Sequence, residues 1–211
     1  MVSVKKEVED YIDHHAAIRK NLKKQIINKR ALARQIKEEI KTEASIDAII
    51  SAIRRYPTEK IQIKEKEQPK NFKLSMKDDI FDLSLLNNPK VHKKLGELPS
   101  LVDFSRGETL RIIIGVQSIK IIGDNRNLEK INQKFLKKNI DKSKKDLSEI
   151  TLTFPQQAEE TTGIVSEVTT ELALNHINIV EVMSSAPELI LVVNEKDSLK
   201  TYRTLKNLSI F

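Results

Sequence analysis

No cysteine occurs anywhere in the chain, so disulfides, thiolate nucleophiles and cysteine-based zinc sites are excluded outright. Tryptophan is absent as well, and aromatic residues make up only 4% of the total, too few for a platform that stacks single-stranded bases. The five glycines are not spaced as a phosphate loop, a dinucleotide fingerprint or a nucleophile elbow. Four histidines are scattered; His14 and His15 are adjacent, point to different faces of a helix and make no i, i+4 metal pair, while His15 reads as packing and His92 as surface. Paired carboxylates such as Asp78-Asp79 and Glu159-Glu160 read as loop and cap charges. No apolar run approaches the roughly 18 residues of a membrane span, and Met1-Val2-Ser3-Val4-Lys5-Lys6-Glu7 lacks a hydrophobic signal region. We therefore expect a cytoplasmic protein with no membrane contact, no catalytic residue, no metal and no cofactor.

What is present is ordinary for a globular chain: 39% apolar and 32% charged residues over 211 positions, room for two or three small domains. Charge is uneven. Residues 1–70 and 71–147 each carry a net +6, whereas 148–211 carry −5. A basic remainder attached to an acidic end suggests that the basic part meets phosphates; a lysine-rich solvated surface gives the same count. Much of the middle surplus lies in Lys134 to Lys145, which reads as a helix end and a linker.

The C-terminal third has the clearest pattern. A strand is expected at Glu149–Phe154, a helix at Thr162–Asn175, paired strands at Ile177–Ser184 and Glu188–Val193, and a helix from Ser198, in the order β-α-β-β-α. Ile164, Val168 and Leu172 recur at helical spacing, while Ile190 and Val192 alternate with Leu189, Leu191 and Val193 as on a strand. Gly163 stands at a strand-to-helix turn, where its freedom lets backbone N–H groups approach a ligand and the helix N-terminus favours a carboxylate. The run Thr161-Thr162-Gly163-Ile164-Val165-Ser166-Glu167-Val168, followed by Ala173-Leu174-Asn175-His176-Ile177-Asn178-Ile179, resembles the ACT domain, a small module that usually binds an amino acid. That resemblance implies a sensor with Thr161, Thr162, Gly163, Ile164 and Asn178 at its ligand.

A weaker copy of the same unit lies upstream at an offset of 71 residues, matching Ile119, Ile121, Ile122, Leu128 and Ile131 to Ile190, Val192, Val193, Leu199 and Tyr202. In this copy Leu86-Asn87-Asn88-Pro89 replaces the glycine elbow with an asparagine N-cap and a proline at the first helical position. Whether it holds a ligand stays open. Phe72–Met76 and Ile80–Leu85 read as two strands of a hairpin around Lys77-Asp78-Asp79, the leading one available to stand in for a final strand that neither copy supplies.

The first 56 residues read as helical. Val8, Tyr11, Ile12, Ile18, Leu22 and Ile26 form an apolar stripe on one long helix or two; Asn28 can cap a helix over Lys29–Ile40 with Leu32, Ala33, Ile36 and Ile40 inward. Ser45 can cap a third, whose Ile46, Ile49, Ile50 and Ile53 follow i, i+3, i+4, i+7. The stretches Ile27–Ile36 and Ser45–Arg55 resemble the helix-turn-helix of winged-helix proteins. That resemblance implies duplex DNA as partner, with Ser45, Ala48, Ser51, Ala52 and Arg55 on the exposed side of the third helix, Arg34, Arg54 and Lys60 near phosphates, and Lys60–Lys66 as the wing. A helical bundle for packing or dimerisation is the alternative, and Pro57–Lys70 is otherwise a linker.

The expected architecture is α+β: a three-helix winged-helix-like domain over 1–70, then two ferredoxin-like (β-α-β-β-α) ACT-type modules over 71–145 and 146–211. Its expected role is a homodimeric DNA-binding transcriptional regulator that senses an amino acid or similar small molecule. The alternative is a regulatory subunit that binds no DNA and whose bundle docks on an enzyme.

Overall fold

The structure, a computed structural model, describes residues 3–60 and 72–208 and falls into two units, one up to residue 65 and one from residue 66. In the first unit the stripe is split between two helices, α1 (Val4–His14) and α2 (Ala16–Lys23), with the break at His15, whose ring stacks on Tyr11. Gln25, in the left-handed region at φ 57°, stops the chain short of Ile26, which is therefore exposed rather than part of the stripe. Asn28 caps α3 (Lys29–Ile40) by accepting from the N–H of Arg30 and Ala31, and Ser45 caps α4 (Ile46–Arg55) by accepting from Ala48. Val8, Ile12, Leu32, Ile36, Ile49 and Ile53 close one core. Among the described residues this unit has four α-helices, the stripe being divided between two rather than carried by one, and the wing expected at Lys60–Lys66 lies outside the described residues apart from the backbone of Lys60, which ends a short 3-10 turn.

The second unit is one antiparallel sheet with helices. Its first half contains β1 (Lys73–Leu86), α5 (Pro89–Leu95), β2 (Leu110–Ile114), β3 (Ser118–Asp124) and α6 (Leu128–Asn132). The second repeats the pattern with β4 (Ile140–Thr153), α7 (Ile164–Leu174), β5 (Ile179–Ser185), β6 (Glu188–Asn194) and α8 (Ser198–Lys206). Strand order is β2-β3-β1-β4-β6-β5. β1 and β4 are long enough to serve both halves: Ile80–Leu86 pairs with β3 while Lys73–Lys77 pairs only with β4, and Leu147–Thr153 pairs with β6 while Ile140–Lys144 pairs only with β1. Each half thus takes its fourth strand from the other.

Residues 72–85 are accordingly one strand with an irregularity, not a hairpin. The register slips between Lys77 and Ile80, where Asp79 has φ 62°, and between Ile80 and Asp82, opposite Asp146 at φ 56°. An extra residue reverses which face the later side chains point to. Leu74 and Met76 before the slip therefore pack with the α7/α8 core, and Phe81, Leu83 and Leu85 after it pack with the α5/α6 core. Lys134–Lys145 is likewise not a linker, since β4 begins at Ile140; the expected division at 145/146 falls inside that strand.

The internal repeat is real in geometry but offset by 70 in β3 and β6, one less than the sequence pattern suggests. Ile121 faces Leu83 as Leu191 faces Ile150, and the buried Leu128 and Ile131 correspond to the buried Ser198 and Thr201, while Leu199 is 62% exposed. On the face away from these cores the sheet curls. Val180 and Met183 of β5 pack on Ile80, Ile122, Leu147 and Val192, and Lys120 of β3 bridges Asp82 of β1 and Glu181 of β5, although β3 and β5 lie four places apart in the sheet. Arg111 of β2 likewise reaches Glu149 of β4 with two hydrogen bonds of 2.8 Å.

Candidate functional site

After β4 the chain turns through Phe154, whose N–H donates to the carbonyl of Pro187 at 2.9 Å, and runs along a 3-10 segment, Gln156–Glu160, to Gly163. Gly163 has φ 96°, a left-handed conformation that a Cβ would strain. The N-cap residue of α7, Gly163, has no side chain to bond the first turn, and the first backbone bond of the helix runs from Glu167 N–H to the Gly163 carbonyl at 2.9 Å. The N–H groups of Ile164, Val165 and Ser166 consequently have no acceptor within the helix, and the dipole adds to their pull on an anion.

These groups open on a cleft of about 570 Å³, a size suited to a small molecule. Phe154, Pro155 and Ala158 wall one side; Ser184, Ala186, Pro187 and Leu189, around the β5–β6 turn, wall the other. Glu188 lines it too, but strand alternation sets its side chain on the face of Ile190 and Val192, where its charge acts on Arg111. The cleft thus offers apolar walls, hydroxyls from Ser166 and Ser184, and one helix N-terminus for a carboxylate.

The corresponding elbow of the first half is closed by its own side chains. Asn88 caps α5 by accepting from the N–H of Lys90 and Val91. Asn87 donates to the carbonyls of Gly115 (2.7 Å) and Val116 (3.2 Å), with its oxygen 2.7 Å from His92 Nε2. The donors that would meet a ligand are used internally.

Of the residues expected at a ligand, Thr161, Gly163 and Ile164 line the cleft; Thr162 is exposed beside it. Asn178 is not brought there. It precedes β5 at the end opposite Ser184, six residues away along an extended strand, roughly 20 Å. The β5–β6 turn completes the cleft, and the Ala186-Pro187 pair between two apolar runs marks that turn in sequence, but its placement over Gly163 depends on strand pairing. In the helical unit Arg34, Ser45, Ala48, Ser51, Arg54 and Arg55 are exposed, while nothing is described of the Lys60 side chain. Ala52 is buried at 6% exposure rather than outward, because it sits three residues from Ile49 beside the inner stripe.

No family model and no curated protein sequence matches the chain. Solved structures do. The aspartate kinase of Clostridium acetobutylicum, described as an allosteric enzyme, matches at 17% identity and TM-score 0.55, over 70% of this chain and 37% of the kinase. The regulatory subunit of aspartate kinase from Thermus thermophilus matches at 12% identity and TM-score 0.54, over 67% of this chain and 99% of the subunit. The one from Thermus flavus gives the same figures. The chain therefore spans about a third of the kinase but nearly all of each separate regulatory subunit. At such identities the likeness is one of fold alone: the six-stranded antiparallel sheet unit with its helices shares the architecture of these proteins.

Proposed function

We propose that this chain is a regulatory protein that senses an amino acid and carries out no chemistry of its own. The observation that carries this reading is the open cleft at Gly163, with uncapped N–H groups for a carboxylate and apolar walls for a side chain. The shared fold with regulatory subunits of aspartate kinase supports it. In this reading output runs through the helical unit to duplex DNA: the consecutive helices α3 and α4 would serve as the helix-turn-helix, with the exposed small side chains of Ser45, Ala48 and Ser51 for bases and the exposed Arg34, Arg54 and Arg55 for phosphates. A dimer would present two such helices, and the ligand would set their arrangement by preferring one of two states.

A second reading has its own support. Because the fold recurs as a separate kinase subunit, the helical bundle would instead dock on an enzyme that the cleft controls. Calorimetric titration with the twenty amino acids, followed by electrophoretic shift of a duplex with and without whichever one binds, separates the readings. Binding plus a ligand-dependent shift supports the DNA regulator; binding with no shift, or with a shift that the ligand leaves unchanged, supports the docked subunit; no binding removes the sensor.

A further inference from the structure

Residues 137–146 contain five lysines against two aspartates, a surplus of three positive charges within ten residues. Lys137 and Lys138 lie on the 3-10 turn before β4, and Lys142, Lys144 and Lys145 on the first half of the strand, where alternation sets Lys142 and Lys144 on one face and Lys145 on the other, so that they flank the strand edge from both sides; all five are exposed. Among the described residues none of the five makes an ion pair, whereas neighbouring Lys134 is taken up by Glu97 at 3.0 Å. β1 pairs with one edge of this segment, and β6 joins the other edge only from Leu147 onward; the 3-10 turn Glu195–Asp197 and α8, which follow β6, also lie against β4, so the part of the edge without a partner strand is Ile140–Lys144. Asn88 ties the turn to the start of α5 through a hydrogen bond to Asn139.

Lysine on a bare edge can serve simply to discourage strand pairing. The symmetry-related segment shows how little that takes. Lys73–Lys77 of β1 is left equally bare by β3, yet it carries two lysines, and Lys77 is committed to Asp124 at 2.8 Å. Five uncommitted lysines exceed that need. A protein partner is the poorer occupant, since lysine is depleted at protein interfaces, which need an apolar centre, and among the described residues the large exposed apolar side chains of this segment and its pairing neighbour are two, Leu136 and Leu86. Clustered, unpaired and flexible ammonium groups suit a polyanion whose charges repeat.

We propose that the ridge of Lys137, Lys138, Lys142, Lys144 and Lys145 binds the phosphodiester backbone of nucleic acid, without regard to base sequence. It is distinct from the α4 surface and does not depend on the cleft binding an amino acid. The test is fluorescence anisotropy of a labelled mixed-sequence DNA duplex with the full chain over a salt series. Lys137→Glu/Lys138→Glu/Lys142→Glu is expected to weaken low-salt binding at least about tenfold and to flatten the log K against log salt slope by about 0.9 for each phosphate that is no longer neutralised. Arg54→Ala/Arg55→Ala should leave the contribution of the ridge in place. Lysine acetylation footprinting of the wild type, which needs no variant, should show the five lysines protected by duplex. Unchanged affinity in the triple variant, absence of protection, or no wild-type binding at low salt would overturn the proposal. Displacement by polyglutamate as effective as by heparin would overturn it in favour of an acidic protein partner.

Discussion

Tyr56 is held in the helical unit by burial and by a hydrogen bond to Asp13. It is 8% exposed, and burial first, then the hydrogen bond from its hydroxyl to Asp13, push its pKa up to about 12. The unfolded chain releases this proton near pH 10. Between about pH 10 and 12 the unfolded state therefore binds fewer protons than the folded one, so stability is full below that window and falls as pH rises through it. Tyr56→Phe should remove this dependence and cost about 1–2 kcal/mol at neutral pH, read from urea midpoints. Gly163 invites a different test, because its φ of 96° is strained for any other residue. Gly163→Val should abolish amino-acid binding in calorimetry and lower the melting temperature through a backbone cost of about 1–3 kcal/mol. If the variant melts earlier and the wild type binds nothing, the glycine serves the turn alone.

Lys120 of β3 links two strands of the curled sheet, β1 through Asp82 and the edge strand β5 through Glu181. Burial works to lower its pKa, yet hydrogen bonds to Glu181 and Asp82 override that and leave it raised. Asp82 is 2% exposed, and its Oδ1 has no partner among the described residues. Lys120→Met would leave that carboxylate buried without its cation, at a cost of about 3 kcal/mol. Adding Asp82→Asn should restore part of the loss, and a urea series on the two variants measures both. The same strands show why registers are hard to foresee. The alternation of Leu74, Met76 and then Phe81, Leu83, Leu85 reverses parity across Asp78-Asp79, which looks like a turn between two strands. It is one strand because β4 continues along both segments, and that partner lies some seventy residues away.

As a molecule, the chain joins a helical unit to a sheet unit whose edge strands, β2 and β5, have free backbone groups. Ile113, Ile114 and Val116, at and just beyond the end of β2, are exposed apolar residues that a second copy can cover. Light scattering at tens of micromolar should give a dimer, and Ile114→Lys should shift it toward monomer without loss of helical or strand signal by circular dichroism. A wild-type monomer under the same conditions would remove the two-fold arrangement from the proposed function.

Local signals carried much of this protein. Asn28, Ser45 and Asn88 are each visible as helix starts because a short polar side chain bonds to an N–H two or three residues on, and the apolar spacing in α3, α4 and α7 follows from helix geometry. Gly163 was legible for the same reason: a lone glycine before an amphipathic helix implies a special backbone. Long-range pairing decided the rest. It set β1 and β4 as shared strands, turned a supposed lysine linker into a bare strand edge, and moved the repeat offset by one residue. It also placed the Ala186-Pro187 turn over the elbow and Asn178 far from it. None of these could be read locally, because a strand's partner, and hence its face and its end, is chosen by residues far away in the chain.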